Sequence, residues 1–233
     1  MCFSPEASFA GGFIISIIGI ATVKQVHNRS QLIFASIPLF FGIQQFAEGF
    51  LWLTIPRPEY LDVQKFVTYV FLFMAQVLWP MMIPLSVLLM EENKNKKKIL
   101  RILLIMGLSV SFYYIYYLSF FNVTPQISGY HIQYKNDFPK SLANPVFAIY
   151  LIATITPLFV SSIKRTHLLG ILMFISCLIT AIFFRQYLTS VWCFFAAFIS
   201  VVIFWILRDS KREFTFDKLG LLKILSKQPE DKQ

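Results

Sequence analysis

Three polar side chains, Gln44, Gln45 and Glu48, stand inside a stretch that is otherwise largely apolar from residue 37 to residue 54. On a helix, residues three and four positions apart are neighbours, so these side chains share a face, which Trp52 extends. A carboxylate inside hydrocarbon is costly and needs a proton, a partner or water. Such a carboxylate can act as a general base or ligate a metal, and the amides can hydrogen-bond a ligand. The pattern predicts a buried polar site, with Glu48 as its candidate catalytic residue.

The elements that position this site are predicted to be seven transmembrane helices, which makes the fold class an all-α integral membrane bundle. The chain of 233 residues is 57% hydrophobic and 14% charged, whereas a soluble domain has roughly 25% charged residues. A spanning helix needs about 20 apolar residues. The predicted spans are 7–23, 31–55, 66–90, 99–121, 145–163, 168–184 and 190–207.

The basic residues predict the orientation of this bundle. Only five of the 21 Lys and Arg residues fall on one side, namely Arg57, Lys65, Lys135, Lys140 and Arg185, and the other sixteen fall on the opposite side. Cytoplasmic loops carry the excess of basic residues, so the N-terminus is predicted outside and the C-terminus inside. The net charge of +9 then favours anionic lipid at the cytoplasmic face as its partner, and not nucleic acid.

Two domains are predicted, a transmembrane domain over 1–207 and a basic cytoplasmic tail over 208–233. Apolar residues recur among lysines in 214–227, which predicts a short amphipathic helix on the inner membrane surface.

The longest external loop, 122–144, is too long for a simple connector and is predicted to fold back over the bundle. Asn144 followed by Pro145 predicts a cap and the first helical position of span five. Close packing of span one is predicted from its small residues Ser8, Gly12 and Ser16.

Depth follows from position, because a helix rises about 1.5 Å per residue. Glu48 is predicted roughly 10 Å below the outer surface, with Gln76 of span three at a similar depth. Arg185 caps span six on the same side. The sequence therefore predicts a polar pocket open to the exterior, with Gln44, Gln45, Glu48, Gln76 and Arg185 as ligand-binding residues. The plainer alternatives are interhelical hydrogen bonding by the amides and a structural pair of Glu48 with Arg185.

Two of the three cysteines, Cys2 and Cys193, are predicted at the outer face. Span one can approach span seven if the bundle closes as a ring, which leaves three states open for these thiols. A disulfide suits an oxidising exterior. A metal site would combine both thiolates with His131 from the external loop and Glu48 as a fourth ligand, and this donor set suits zinc. Free thiols are the third state, as for Cys177, which packs mid-span.

Several short blocks of this sequence resemble an uncharacterised bacterial family of multi-spanning membrane proteins. The opening MCFSPEAS is the most specific block, and the others are FGIQQ at 41–45, EG at 48–49, His131-x-x-Tyr134 and TSVWC at 189–193. The resemblance covers nearly the whole chain and implies a bacterial inner membrane protein. The family has no established activity, so the resemblance implies no mechanism. It does imply that Cys2, Glu48, His131 and Cys193 are worth considering together.

Three functions are compatible with these residues, and whether the protein is an enzyme stays open. The first is a sensor or carrier that binds a small ligand or metal ion in the outer pocket. The second is a metal-dependent intramembrane lipid hydrolase with Glu48 as general base. Seven spans are similar to the alkaline-ceramidase and adiponectin-receptor-like hydrolases, but those need several intramembrane histidines, and here none of the three lies mid-span. The third is a small-solute transporter, for which Trp79 and Pro80 indicate a broken helix.

Reporter fusions test the predicted orientation. We expect a fusion at Gln233 to give a cytoplasmic signal and a fusion near Ser128 to give an external one, because sixteen basic residues hold the first side inside. Signals from the same side at both positions would contradict the seven-span topology.

Overall fold

The computed structural model describes residues 4–139, 142–183 and 195–225, with side chains up to residue 210. A π-helical segment, Phe73–Leu78, joins α3 to α4 without a break, so these three pieces form one rod. A two-stranded antiparallel hairpin separates α5 from α6. The helices and strands are α1 Pro5–Val23, α2 Leu32–Thr54, α3 Leu61–Leu72, α4 Trp79–Met90, α5 Lys94–Phe120, β1 Val123–Ser128, β2 His131–Asn136, α6 Ala143–Val160, α7 Lys164–Phe183 and α8 Ala196–Leu225.

Six helical stretches in the described part of the chain are long and apolar enough to cross a membrane, and they match the first six predicted spans. The seventh predicted span begins at residue 190, outside the described residues, and α8 contains its remainder. α8 continues past residue 207 to Leu225. The seventh span, the orientation and the division into two domains stay predictions. The six stretches are Pro5–Val23, Arg29–Thr54, Pro58–Met90, Lys94–Phe120, Ala143–Val160 and Lys164–Phe183.

Helix starts differ from the predicted spans because capping, and not hydropathy, sets them. α5 begins five residues before its apolar run, where the Asn93 side chain accepts hydrogen bonds from the backbone N–H groups of Asn95 and Lys96, at 2.9 and 3.2 Å. The predicted Asn144 cap is wrong. α6 begins at Ala143 with Leu142 at the N-cap position, so Asn144 lies inside the first turn.

The small residues of α1 pack against α2, as predicted. A Cβ atom built on Gly12 would lie 3.3 Å from the carbonyl oxygen of Gly42, and one built on Gly42 would lie 3.3 Å from that of Gly12. Such close approach of two backbones needs glycine at both positions. α8 contacts α1, α2 and α7, so the bundle brings the first and last helices together.

The long loop between α5 and α6 contains the β-hairpin, which the all-α prediction did not include. Gly129 has φ of 60°, and no non-glycine residue described has positive φ. Ser128 pairs with His131, so Gly129 and Tyr130 form a two-residue loop, and glycine at its first position fits a type II′ turn. This glycine between two alternating segments was the available sequence signal.

The hairpin packs onto the ends of α2 and α3, which confirms that the loop folds back over the bundle. Ile132 of β2 is fully buried in a cluster with Leu51 of α2 and Phe71 of α3. The ring of Tyr134 stacks on that of Phe71, with centroids 5.0 Å apart. We call this end of the bundle the hairpin end.

Substitution of Gly107 tests the packing of α5 on α4. A Cβ atom at this position would collide with the backbone carbonyl of Pro80, which cannot rotate away. We expect Gly107→Ala to lower the melting temperature in detergent by several degrees, since the two helices must separate. Ser109→Ala on the exposed face of the same helix is the matched control. Equal melting temperatures of the two variants would contradict this contact.

Candidate functional site

The π-helical segment Phe73–Leu78 lies in the middle of the third membrane-length stretch. A π turn and the missing N–H of Pro80 both leave backbone carbonyls without their helical donors. Two hydroxyl groups on neighbouring helices donate to carbonyls of this segment. Tyr150 of α6 donates to Ala75 O at 2.7 Å, and Ser111 of α5 donates to Val77 O at 2.7 Å. The irregular segment is therefore held from two sides.

A cavity of about 480 Å³ lies beside this segment, between α2 and the helices from α4 to α8. Its walls are mostly aromatic and aliphatic, with a few amides and hydroxyls. The cavity lies towards the hairpin end, since Asn136 of the hairpin and Asn144 of α6 line it. The described lining residues are Phe41, Gln44, Ala75, Gln76, Trp79, Ile83, Tyr114, Asn136, Ala143, Asn144, Phe147, Tyr150, Thr154, Met173, Ala181 and Ile199.

Gln44 lies in this lining and is held by its neighbour. Its Oε1 accepts a hydrogen bond of 3.0 Å from the indole N–H of Trp79. The Trp79 ring lies against Phe41, with ring centroids 4.3 Å apart. The predicted interhelical role of this amide and its place in the cavity wall are therefore compatible.

Gln76 lies in the π-helical segment and also lines the cavity. Its Oε1 is buried and accepts no hydrogen bond from any described residue. A buried acceptor without a donor costs about 1–3 kcal/mol. Rotation about the terminal torsion of glutamine is soft, so this amide can present either its oxygen or its nitrogen to the cavity.

Gln45 and Glu48 are fully buried on α2, but neither is among the described residues that line the cavity. Glu48 lies at the level of Ala47 and Leu51, which pack in the cluster under the hairpin. Trp52 belongs to the same cluster, and its buried indole N–H donates to no described acceptor. The predicted polar face of α2 therefore divides between the cavity, which Gln44 lines, and the interior beneath the hairpin.

Two of the predicted metal ligands, Cys2 and Cys193, lie outside the described residues. Arg185, a predicted ligand-binding residue, lies outside them too. His131 is half-buried beside the hairpin turn, and burial lowers the pKa of its imidazole, which favours the neutral form that ligates metals. Within the described ranges, no three His, Cys, Asp or Glu side chains lie close enough to hold a metal ion. The zinc site stays a prediction.

Glu91 is a buried carboxylate that the sequence analysis missed. It lies 2% exposed in the turn after α4, at the end of the bundle opposite the hairpin. Its Oε2 accepts from the backbone N–H of Ser162 at 2.6 Å, and its Oε1 accepts from the Ser162 hydroxyl at 2.7 Å. The N–H groups of Glu92 and Asn93 also donate to Oε1. Glu91 therefore ties the α4–α5 turn to the α6–α7 turn.

The ionisation of Glu91 follows from these contacts. Burial raises the pKa of its carboxyl, but the hydrogen bonds from Asn93, Ser162 and Glu92 outweigh burial and hold the pKa below its usual value of 4.5. Hydrogen bonds to the charged form are the cause. No sequence pattern links Glu91 with Ser162, because 71 positions separate them.

These features define a class, a helical protein whose described part contains six helical stretches that are long and apolar enough to cross a membrane. Within that class, the chain belongs to a family of unknown function, DUF6629, whose family model matches residues 1–217. A comparison with curated proteins finds no match, and a comparison with solved structures finds none either.

The Glu91 contacts predict an acid-dependent stability. The pKa of the Glu91 carboxyl is lower in the folded state than in the unfolded state. The stabilisation that its ionised form provides is therefore complete above pH 4.5 and is lost as the pH falls through the folded-state pKa. We expect Glu91→Gln to lower the melting temperature at neutral pH and to lose less stability than the wild type on acidification. Ser162→Ala should cost about 1.5–3 kcal/mol, as for a hydrogen bond to a charged group.

Glu92→Gln is the matched control, because Glu92 follows Glu91 in the chain and its side chain is exposed. If Glu92→Gln and Glu91→Gln change the melting temperature and its pH dependence equally, the carboxylate contacts do not stabilise the fold.

Proposed function

We propose that this protein is a multi-pass membrane protein that binds a small ligand in the cavity at the hairpin end, as a sensor or carrier. The observation that supports the proposal is the cavity of about 480 Å³ in which Gln44 and Gln76 lie. Pockets of about 300–1,000 Å³ with mostly apolar walls and few polar groups are typical of small-molecule sites. The predicted orientation opens this cavity to the exterior of a bacterial inner membrane, with the basic end against anionic lipid.

The remaining predicted residues take supporting places in this proposal. Gln45 and Glu48 lie on α2 within one turn of Gln44, so they would polarise the wall behind the ligand. Arg185, predicted at the outer end of span six, would close the cavity from that side. A metal ion is the other form of the ligand. It would be held by Cys2, His131 and Cys193 with Glu48. The contact between α1 and α8 supports this set, because Cys2 shortly precedes α1 in the sequence and Cys193 shortly precedes α8.

A transporter is the second candidate function, and the π-helical segment favours it. Transporters bind solutes at interrupted helices near the middle of the membrane. Here the interruption carries Gln76 into the cavity wall and is followed by Pro80 and Pro84. A change between π and α register would move Gln76 and Trp79 relative to α2. The hydrolase alternative would use Glu48 as a general base beside zinc, and it requires the metal form of the site.

A variant that fills the cavity tests this proposal. Ala181 lines the cavity from α7, so Ala181→Phe should occupy the space that the ligand needs. Ala10→Phe on the exposed face of α1 is the matched control. Native mass spectrometry of protein extracted in mild detergent should show a bound small molecule in the wild type and in Ala10→Phe, and its loss in Ala181→Phe. The same molecule on a folded Ala181→Phe variant would contradict the proposal.

Metal analysis of the same preparations distinguishes a small-molecule ligand from a metal ion. Stoichiometric zinc that is lost on His131→Ala selects the metal form. A linked Cys2–Cys193 peptide from non-reduced protein excludes both thiolates as metal ligands and thus overturns that form.

A further inference from the structure

We propose that the cavity selects an uncharged ligand with a flat ring and a hydrogen-bonding group, and that this group pairs with the side-chain amide of Gln76. This inference rests on the proposed function, since it names the ligand class of the same cavity. Three features of the described wall support it. They are the lack of charged side chains, the aromatic rings, and the hydrogen bonding of the two glutamine amides.

The described part of the wall carries no charged side chain. Of the described residues that line the cavity, none is Asp, Glu, Lys, Arg or His. A charge taken from water into the described part of this space meets no opposite charge, and burying it without a partner costs several kcal/mol. The walls carry hydroxyls and amides instead, which stabilise neutral polar groups. An uncharged ligand therefore loses the least on entry.

The wall offers ring faces. Phe41 and Trp79 form one aromatic pair, and Phe147 and Tyr150 of α6 form another, with planes 15° apart and centroids at 6.4 Å. Aromatic rings prefer offset-stacked or edge-to-face contacts with other rings at 4.5–7 Å. A flat ring can make such contacts with either pair, whereas an aliphatic chain gains only its buried area.

The polar groups of the wall divide into two kinds. Gln44 and Tyr150 already hydrogen-bond protein groups, Trp79 N–H and Ala75 O, and so hold the shape of the cavity. Gln76 Oε1 accepts no hydrogen bond from a described residue. An N–H or O–H group on the ligand would satisfy it and remove the cost of a buried acceptor. The ligand class is thus a neutral heteroaromatic or hydroxylated ring compound.

Three related probes test the inference: indole, which is neutral, indole-3-acetate, which is an anion, and tryptamine, which is a cation. Each is measured by equilibrium dialysis against the full-length protein in nanodiscs, with protein-free nanodiscs as the lipid background. We expect indole to bind at least tenfold more tightly than either charged probe. Gln76→Leu should weaken indole binding about threefold to tenfold, which is the effect of one neutral hydrogen bond.

Two variants sharpen the role of Gln76. Gln76→Glu places a carboxylate in the wall and should shift the preference towards tryptamine. Gln126→Leu, on the exposed side of β1, is the matched control and should bind indole as the wild type does. Unchanged indole affinity in a folded Gln76→Leu variant would overturn the assignment of the hydrogen bond.

The remaining outcomes distinguish failure of this inference from failure of the proposed function. Anion binding that equals or exceeds indole binding and is lost in Arg185→Gln overturns the neutral class but keeps the cavity as the site. Binding of any probe that survives Ala181→Phe contradicts the cavity itself. Indole that binds the wild type no better than protein-free nanodiscs overturns the inference.

Discussion

The structure depends on one constraint, that backbone carbonyls released inside a bundle must find donors on neighbouring helices. The π-helical segment and Pro80 release carbonyls at the centre of the third membrane-length stretch, where lipid offers no hydrogen bonds. Tyr150 and Ser111 supply the donors, so α6 and α5 are fixed against this segment. Trp79, which directly follows this segment, donates a hydrogen bond to Gln44 of α2, and Gln76 lies in the cavity wall. The cavity thus follows from the way in which the interruption is satisfied.

The sequence predicts the spans well, because hydropathy over about 20 residues measures the quantity that a bilayer selects. It also predicts close packing of α1, since small residues four apart let helix backbones approach, but it does not predict that α2 is the partner. The helix starts were predicted less well, as caps such as Asn93 depend on single hydrogen bonds. The hairpin was missed, although Gly129 was a usable signal. Long-range pairs such as Glu91 with Ser162 leave no local pattern, because each partner is ordinary in its own segment.

The candidate site was likewise predicted only in part from the sequence. Helical periodicity places Gln44, Gln45 and Glu48 on one region of α2, and all three are buried there. Periodicity does not say which neighbour each side chain meets, and that depends on how the helices cross. Gln44 faces Trp79 and the cavity, whereas Glu48 lies at the level of the residues that pack beneath the hairpin. Gln76 was predicted from depth alone, and the π-helical segment that carries it has no reliable sequence signal.

The two ends of the bundle are held by different sets of contacts. At the end opposite the hairpin, Glu91 ties two turns together, and Arg165 of α7 pairs with Asp209 of α8 and lies over the Trp205 ring. These contacts are charge-assisted and cross between helices. At the hairpin end, Ile132 and Tyr134 pack on Leu51 and Phe71. The Tyr69 hydroxyl also donates to the carbonyl of Phe121 there. Separation of Glu91 from Ser162 would leave a buried carboxylate without two of its donors. The end opposite the hairpin is therefore held by contacts that cannot be broken singly without leaving a charged group unsatisfied.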